Sequence, residues 1–178
     1  MDEIFEFYKK YNGLQNVLRK GWLMRNVPVT RQEDDAHHTL QTILLADLII
    51  RKQNIKGVNL LKVLEMLLIH EIGEGIIGDI SMIEDDYNER KKEEATAVKK
   101  QLSCLGGELS EYYFSLWQEF ESRTTKDAEF AYFIDKLDAV LKAKQYDETL
   151  NQDTYYSEFY PHALEVLKEN EFLGLLHH

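Results

Sequence analysis

Residues Leu60–Ile80 read LLKVLEMLLIHEIGEGIIGDI, an apolar helical pattern that runs directly into a cluster of polar groups. The leucines recur at spacings of three and four residues, which predicts a helix with one apolar stripe: Leu60, Leu61, Leu64, Leu67 and Leu68. A second stripe has the same spacing: Phe130, Phe133, Ile134, Leu137 and Leu141. No segment alternates convincingly as a strand would. The chain is therefore predicted to be all-α, a compact bundle of about six or seven helices.

The breaks in periodicity place the helices and limit the number of domains. They predict helices near residues 2–19, 35–54, 59–74, 84–104, 108–122, 126–148 and 158–170. None of the breaks is long enough for a domain linker, and the chain contains no repeat or low-complexity tract. With 178 residues, the chain is predicted to form a single domain over residues 1–178.

The composition of the chain limits which partners it can bind and in which compartment it is expected. The formal net charge of −11, from 21 basic and 32 acidic residues, argues against binding nucleic acid or an acidic membrane. No segment approaches the roughly 18 apolar residues of a membrane span, and the acidic start of the chain is unlike a signal peptide. The only cysteine, Cys104, rules out an internal disulfide. These features predict a soluble cytoplasmic protein.

The polar groups at the end of the first stripe need partners. His70 and Glu71 close the predicted helix, Glu74 returns to the face of His70 four residues later, and Asp79 follows two glycines. Burying such groups unpaired costs several kcal/mol, roughly, so they need a cation or one another. A solvated helix end is the alternative, but the flanking MLLI and GII segments are too apolar for it. The stretch predicts a metal or catalytic site.

Further ligands must come from elsewhere in the chain. His37 and His38 open a helix with its own apolar face, formed by Leu40, Ile43, Leu44 and Ile50. Asp135 lies in the second apolar stripe, where an acid has no obvious route to solvent. Taken one at a time, such residues are usually a core histidine with its hydrogen bonds satisfied and an acid in a salt bridge. Together with His70 and Glu71 they predict a mixed nitrogen and oxygen site for a divalent ion, manganese, cobalt, iron or magnesium.

Several longer segments carry a family resemblance. GWLMRNV, LLIHEIGEGIIGDI, KKEEATAVKKQL and LWQEFESRTTKDAEFAYFIDKLDAVLKAKQYDE resemble the HD-domain metal-dependent phosphohydrolases, in particular the YfbR- and HDDC-like 5′-deoxynucleotidases. The resemblance spans Leu14 to Phe159. It implies an HD-domain fold, a divalent metal ion, a small nucleotide as substrate and a homodimer.

The resemblance also implies roles for individual residues. The metal ligands would be His38, His70, Glu71 and Asp135. Arg19 would contact the substrate phosphate, and Glu74 and Asp79 would be the catalytic acids. Trp22 could stack on the base or pack in the core. Two features depart from the family: Glu71 stands where aspartate is usual, and the loop before His38 is a few residues longer than in the bacterial enzyme.

Three functions follow as hypotheses. The first is a metal-dependent phosphohydrolase that releases phosphate from nucleoside 5′-monophosphates, preferably deoxyribonucleotides. The second is another HD phosphohydrolase, with a cyclic nucleotide, a nucleoside triphosphate or a ppGpp-like substrate. The third is a catalytically idle helical protein that keeps the bundle and a metal.

Overall fold

The fold is helical throughout the part of the chain that the computed structural model describes, residues 1–80 and 87–177. Within these ranges the longer helices are α1 (Asp2–Tyr11), α3 (Asp35–Lys52), α4 (Leu60–Ile69), α6 (Tyr87–Leu102), α7 (Gly107–Ser122), α8 (Lys126–Leu150) and α9 (Tyr155–Val166). Two helices of four residues, α2 (Lys20–Leu23) and α5 (Glu74–Ile77), lie between them. The described residues contain no strand, only an isolated antiparallel bridge between Leu18 and Asp34. The prediction of an all-α fold is confirmed.

Contacts divide the chain into two compact units. The first comprises residues 1–40 and 68–118, where α1 contacts α6 and α5 contacts both α6 and the 3₁₀ segment Asn12–Asn16. The second comprises residues 41–67 and the chain from residue 119 onward, where α8 packs along α9. All the side-chain contacts of the candidate site described below lie in the first unit.

Two predicted helices end five or more residues before their predicted end. Three others, predicted to end at residues 54, 104 and 170, end at Lys52, Leu102 and Val166. The helix predicted over residues 2–19 ends at Tyr11, because Asn12 and Gly13 are poor helix formers, and a 3₁₀ segment follows it. The helix predicted over residues 59–74 ends at Ile69, and a turn separates it from α5. The predicted start of the next helix, at residue 84, lies outside the described residues.

The long helix α8 has the predicted bounds closely, and the first part of its predicted stripe is buried. The Thr125 side chain accepts a hydrogen bond from the Ala128 amide at its start, and Asn151 ends it in the left-handed conformation, with φ of 52°. Phe130, Phe133 and Ile134 of the predicted stripe are fully buried. Leu137 is only partly buried and Leu141 is 42% exposed, so the 3.6-residue period predicted the buried side of this helix only as far as Ile134.

Helix α3 reverses the usual distribution of polar and apolar residues. Its buried side carries polar groups, with Asp35, His38 and Thr42 fully inaccessible. Leu40, Leu44 and Leu48 are instead 65%, 56% and 52% exposed. Two residues of the apolar face predicted for this helix therefore lie on the surface. The buried polar side is the one that contributes to the site.

No helix in residues 1–80 or 87–177 combines the length and the apolar character that crossing a membrane requires.

Candidate active site

Two histidines and a glutamate converge in the first unit. The Nε2 atoms of His38 and His70 lie 3.3 Å apart, and Glu71 Oε1 lies 3.4 Å from each of them. All three residues are buried. Their ligand-type atoms lie within 4.8 Å of one another, close enough to share one ion.

The end of helix α4 makes this convergence possible. Successive side chains of a continuing helix would point about 100° apart, so adjacent residues would not reach one point easily. The helix ends at Ile69, and the chain turns through residues 70–73, where the amide of Ile72 donates to the Ile69 carbonyl and that of Glu74 to the Glu71 carbonyl. His70 and Glu71 therefore lie in the turn and not in the helix, and their side chains reach the same point. The expectation that Glu74 shares a helical face with His70 is wrong, because the helix is interrupted between them.

Arg19 is the cation next to this group. Its Nη1 donates to Glu71 Oε1 at 2.5 Å and lies 3.6 Å from Asp35 Oδ1 and 3.6 Å from Asp79 Oδ1. Burial would lower the pKa of Arg19, but Glu71, Asp79 and Asp35 raise that pKa well above its usual value. Burial would likewise raise the pKa of Glu71, but Arg19 and His70 hold that pKa well below its usual range. Both groups are therefore charged in the site.

Helix α5 and the residues after it carry the two acids expected from the sequence. Glu74 Oε1 accepts a hydrogen bond from the Ile80 amide at 3.0 Å, and Asp79 Oδ2 accepts one from the Lys20 amide at 2.7 Å. Gly78, with φ of 77°, turns the chain back between them. As expected from the two glycines, Asp79 stands just past a helix on a chain that folds back.

The protonation of Glu74 differs from that of Glu71. Burial, followed by the negative charges of Glu71 and Asp35, raises the pKa of Glu74 well above its usual value. Its Oε2 is buried and has no hydrogen-bond partner within the described ranges. These surroundings therefore favour the protonated form of the Glu74 carboxyl group.

Asp35 is a site acid that was not identified from the sequence. It is fully buried in the first turn of α3, and neither side-chain oxygen has a hydrogen-bond partner in the part of the chain that the structure describes. Burial, above all other causes, raises the pKa of Asp35 to about 8. The only sequence signal was the acidic run Glu33–Asp35 just before the histidines.

Arg90 is a second residue that sequence reasoning missed. From helix α6, its Nη2 donates to the carbonyl oxygens of Ile77 at 2.7 Å and Gly78 at 3.3 Å, and it lies 3.5 Å from that of Asp79. No sequence pattern could have indicated these contacts, because all three partners are backbone atoms.

Trp22 is held away from solvent. Its side chain is 2% exposed, and its indole Nε1 donates to Glu33 Oε1 at 2.9 Å. This burial favours core packing over base stacking, and stacking on a base stays a prediction.

The other histidine of the pair, His37, and the last predicted ligand, Asp135, lie in different surroundings. His37 is largely exposed and its Nδ1 lies 2.8 Å from Asp34 Oδ1, whereas the neighbouring His38 points inward. Asp135 belongs to the second unit, where it is buried in helix α8 with its Oδ2 2.8 Å from Lys136 Nζ. Its role as a metal ligand stays a prediction.

The donor set suits a divalent metal ion. Two imidazole nitrogens that face each other at 3.3 Å, with a charged carboxylate oxygen beside both, are suitably placed to share a cation. Imidazole and carboxylate ligands together suit manganese, iron and cobalt as well as zinc. The residues of the first unit therefore fit a metal centre with an arginine at its side.

Comparison with known proteins identifies the family. A family model described as "HD domain" matches residues 11–172, and the chain therefore belongs to the HD-domain family. Among curated proteins, it is 27% identical over 179 residues to "5'-deoxynucleotidase HDDC2" of Danio rerio, covering 99% of this chain and 86% of that one. It is also 27% identical over 157 residues to the Dictyostelium discoideum protein of the same name, covering 85% and 82% of the two chains.

The solved structures agree with this assignment. A conserved hypothetical protein from Pyrococcus furiosus superposes with a TM-score of 0.78 at 27% identity, covering 97% of this chain and 94% of that one. The HD-domain fold expected from the sequence is thus confirmed.

Proposed function

We propose that the protein is a metal-dependent phosphohydrolase that releases phosphate from nucleoside 5′-monophosphates, preferably deoxyribonucleotides. The observation that carries the proposal is the buried group of His38, His70 and Glu71 with Arg19 donating into it. Such a group combines ligands for a cation with a guanidinium that fits phosphate oxygens. The substrate class is suggested by the similarity to curated 5′-deoxynucleotidases from several organisms.

The proposed metal ligands are His38, His70, Glu71 and Asp135. The first three support the proposal by their mutual distances, and Asp135 is added from the family resemblance and from its burial in α8. Manganese, cobalt, iron and magnesium are the candidate ions, because each accepts oxygen ligands, and imidazole as well in most cases.

The bound ion would polarise a phosphoryl oxygen and lower the pKa of a water molecule. Arg19 would bind the non-bridging phosphate oxygens through its guanidinium. Burial raises the pKa of Glu74 and favours its protonated form, from which it would donate a proton to the leaving 5′-oxygen. Asp79 lies 3.6 Å from Arg19 and can orient that arginine or exchange protons with the substrate. Trp22 remains a candidate for contact with the base.

Two other functions give different outcomes in one experiment. Hydrolysis products, including inorganic phosphate, are identified for a panel of nucleoside mono- and triphosphates, cyclic nucleotides and a ppGpp-like compound, with manganese or cobalt added. Products are identified because opening a cyclic nucleotide releases no phosphate. The proposal requires turnover of 5′-monophosphates. Turnover of only a cyclic nucleotide, a triphosphate or a ppGpp-like compound would indicate the alternative HD phosphohydrolase, and no turnover would indicate an idle helical protein.

We further propose that the protein acts in the cytoplasm as a single domain and as a homodimer. The single cysteine agrees with a reducing compartment, and the family match across residues 11–172 supports one domain. The three exposed leucines of α3 are a candidate dimer surface.

A further inference from the structure

Three consecutive backbone carbonyls, at the last residue of helix α5 and the two residues after it, lie around one guanidinium nitrogen. The last carbonyls of a helix have no partner within the helix and need one from outside. Arg90 Nη2 donates to those of Ile77 and Gly78, at 2.7 and 3.3 Å, and lies 3.5 Å from that of Asp79. Arg90 therefore fixes the backbone at the residue whose side chain enters the site.

The other side of the same segment is fixed by the site itself. The Asp79 carboxylate accepts from the Lys20 amide and lies 3.6 Å from Arg19, while the next amide, of Ile80, donates to Glu74. Gly78 allows the positive φ of the turn, but glycine is too flexible to hold the backbone in this conformation by itself. The position of Asp79 thus depends on contacts from both sides, and Arg90 supplies the outer contact.

We infer that Arg90 is a positioning residue for the proposed phosphohydrolase reaction: by holding the carbonyls of residues 77–79 from helix α6, it sets the placement of Asp79 beside Arg19. The inference rests on the proposed function. Arg90 acts through the backbone, so its loss should misplace the acid while the metal ligands His38, His70 and Glu71 remain. Displacing a reacting group by about 1 Å can cost on the order of 100-fold in rate.

The test compares variants of the full-length protein with dAMP and added manganese. Arg90→Ala removes the guanidinium, Arg90→Lys keeps a cation that can reach a carbonyl, and Lys92→Ala removes an exposed cation from the same helix as a matched control. For each protein, kcat, KM, bound manganese and the melting temperature are measured, with kinetics well below melting. Arg90→Ala is also assayed with added methylguanidine.

The inference expects Arg90→Ala to lower kcat by about 10- to 100-fold, with KM changed less than about threefold and manganese retained. Arg90→Lys should lie between Arg90→Ala and the wild type, methylguanidine should restore part of the lost kcat, and Lys92→Ala should match the wild type. A purely structural Arg90 would lower the melting temperature and leave kcat of the folded enzyme unchanged, which overturns the inference.

Two further outcomes are separable. If the wild type hydrolyses none of the nucleotides in the panel, the proposed function fails and the inference fails with it. If the wild type is active and Arg90→Ala does not fold, the comparison of Arg90→Lys with Lys92→Ala decides: equal kcat values in these two variants overturn the inference, and a lower kcat in Arg90→Lys supports it.

Discussion

Arg19 lies among three buried acidic side chains. It lies within 3.6 Å of carboxylate oxygens of Asp35, Glu71 and Asp79, and its own side chain is mostly buried. Because burying an unpaired charge is costly, the guanidinium of Arg19 and the carboxylate of Glu71 stabilise each other in the buried site. Under the proposed function, Arg19 is also the contact for the substrate phosphate.

The variant Arg19→Ala separates phosphate binding from metal binding. We expect it to keep its metal, because Arg19 is not a ligand, and to lose on the order of 100-fold in kcat/KM, as when one donor to a transition-state oxyanion is removed. Metal content and kinetics are measured beside Arg31→Ala, which removes an exposed arginine just before helix α3. Wild-type kinetics in Arg19→Ala would show that the phosphate binds elsewhere.

The buried acid Asp35 predicts a pH dependence of stability. Its pKa is about 8 in the folded protein against an ordinary value of 3.8. Between these values the folded protein binds a proton that the unfolded chain releases, so the free energy of unfolding falls as the pH rises from about 4 to about 8. The variant Asp35→Asn has no ionisable group at this position, so this fall in its free energy of unfolding should be absent.

Melting temperatures in EDTA test this effect. We expect Asp35→Asn to melt above the wild type at pH 8, and the difference to shrink at pH 5, where Asp35 is protonated in the folded state. A difference that is the same at both pH values would contradict the account of Asp35.

At the scale of elements, the turn after helix α4 determines the site, and Gly73 is the residue that permits it. A Cβ at this position would lie 2.7 Å from Glu94 Cγ and 3.0 Å from Val98 Cγ2, both on helix α6. Only glycine lets α6 approach this closely. The short helix α5, which begins at the next residue, depends on the same approach.

Gly73→Ala should therefore destabilise the protein by about 1–3 kcal/mol, the usual cost of overpacking. Gly174→Ala is the matched control, because a Cβ there meets nothing within 4 Å. Chemical denaturation measures both variants. Equal free energies of unfolding in the two variants would mean that α6 moves aside at no cost.

The sequence predicted the regular elements better than the site. In α8 the apolar spacing identified the buried Phe130 and Phe133, because packing repeats with the helical period. In α3 the same reasoning predicted an apolar face at Leu40 and Leu44, and these leucines lie outside.

Sequence reasoning identified only those site residues whose type is unusual among their neighbours in the sequence. His70 and Glu71 stood out because polar residues in an apolar stretch are unusual. The turn that unites them depends on the close packing of α6, a contact distant in sequence, and Arg90 binds backbone carbonyls that no residue pattern encodes. Long-range packing and backbone contacts were therefore the parts of the site that could not be predicted from the sequence.

At the scale of the whole molecule, the exposed leucines of α3 bear on the proposed homodimer. Leu40, Leu44 and Leu48 form a stripe about 12 Å long on one side of the helix. A second copy could cover these side chains with the same stripe of its own helix α3 and remove both sets of leucines from water.

Light scattering at micromolar concentration should give a dimer mass for the wild type. Leu44→Glu places a charge at the centre of the stripe and should give a monomer, whereas Leu109→Glu, at a leucine 46% exposed on α7, should stay dimeric. A monomeric wild type would show that the homodimer prediction is wrong. A dimer unaffected by Leu44→Glu would place the interface elsewhere.

The metal content of Glu71→Ala, measured together with its phosphatase rate, tests the proposed metal centre most directly. If Glu71 is a ligand, Glu71→Ala should lose both bound metal and phosphate release, as should Asp135→Ala, while Glu71→Asp should remain partly active because it restores the ligand usual in the family. Elemental analysis and nucleotide hydrolysis on the same preparations give the answer. Full metal occupancy and normal phosphate release in Glu71→Ala would contradict the account of this site.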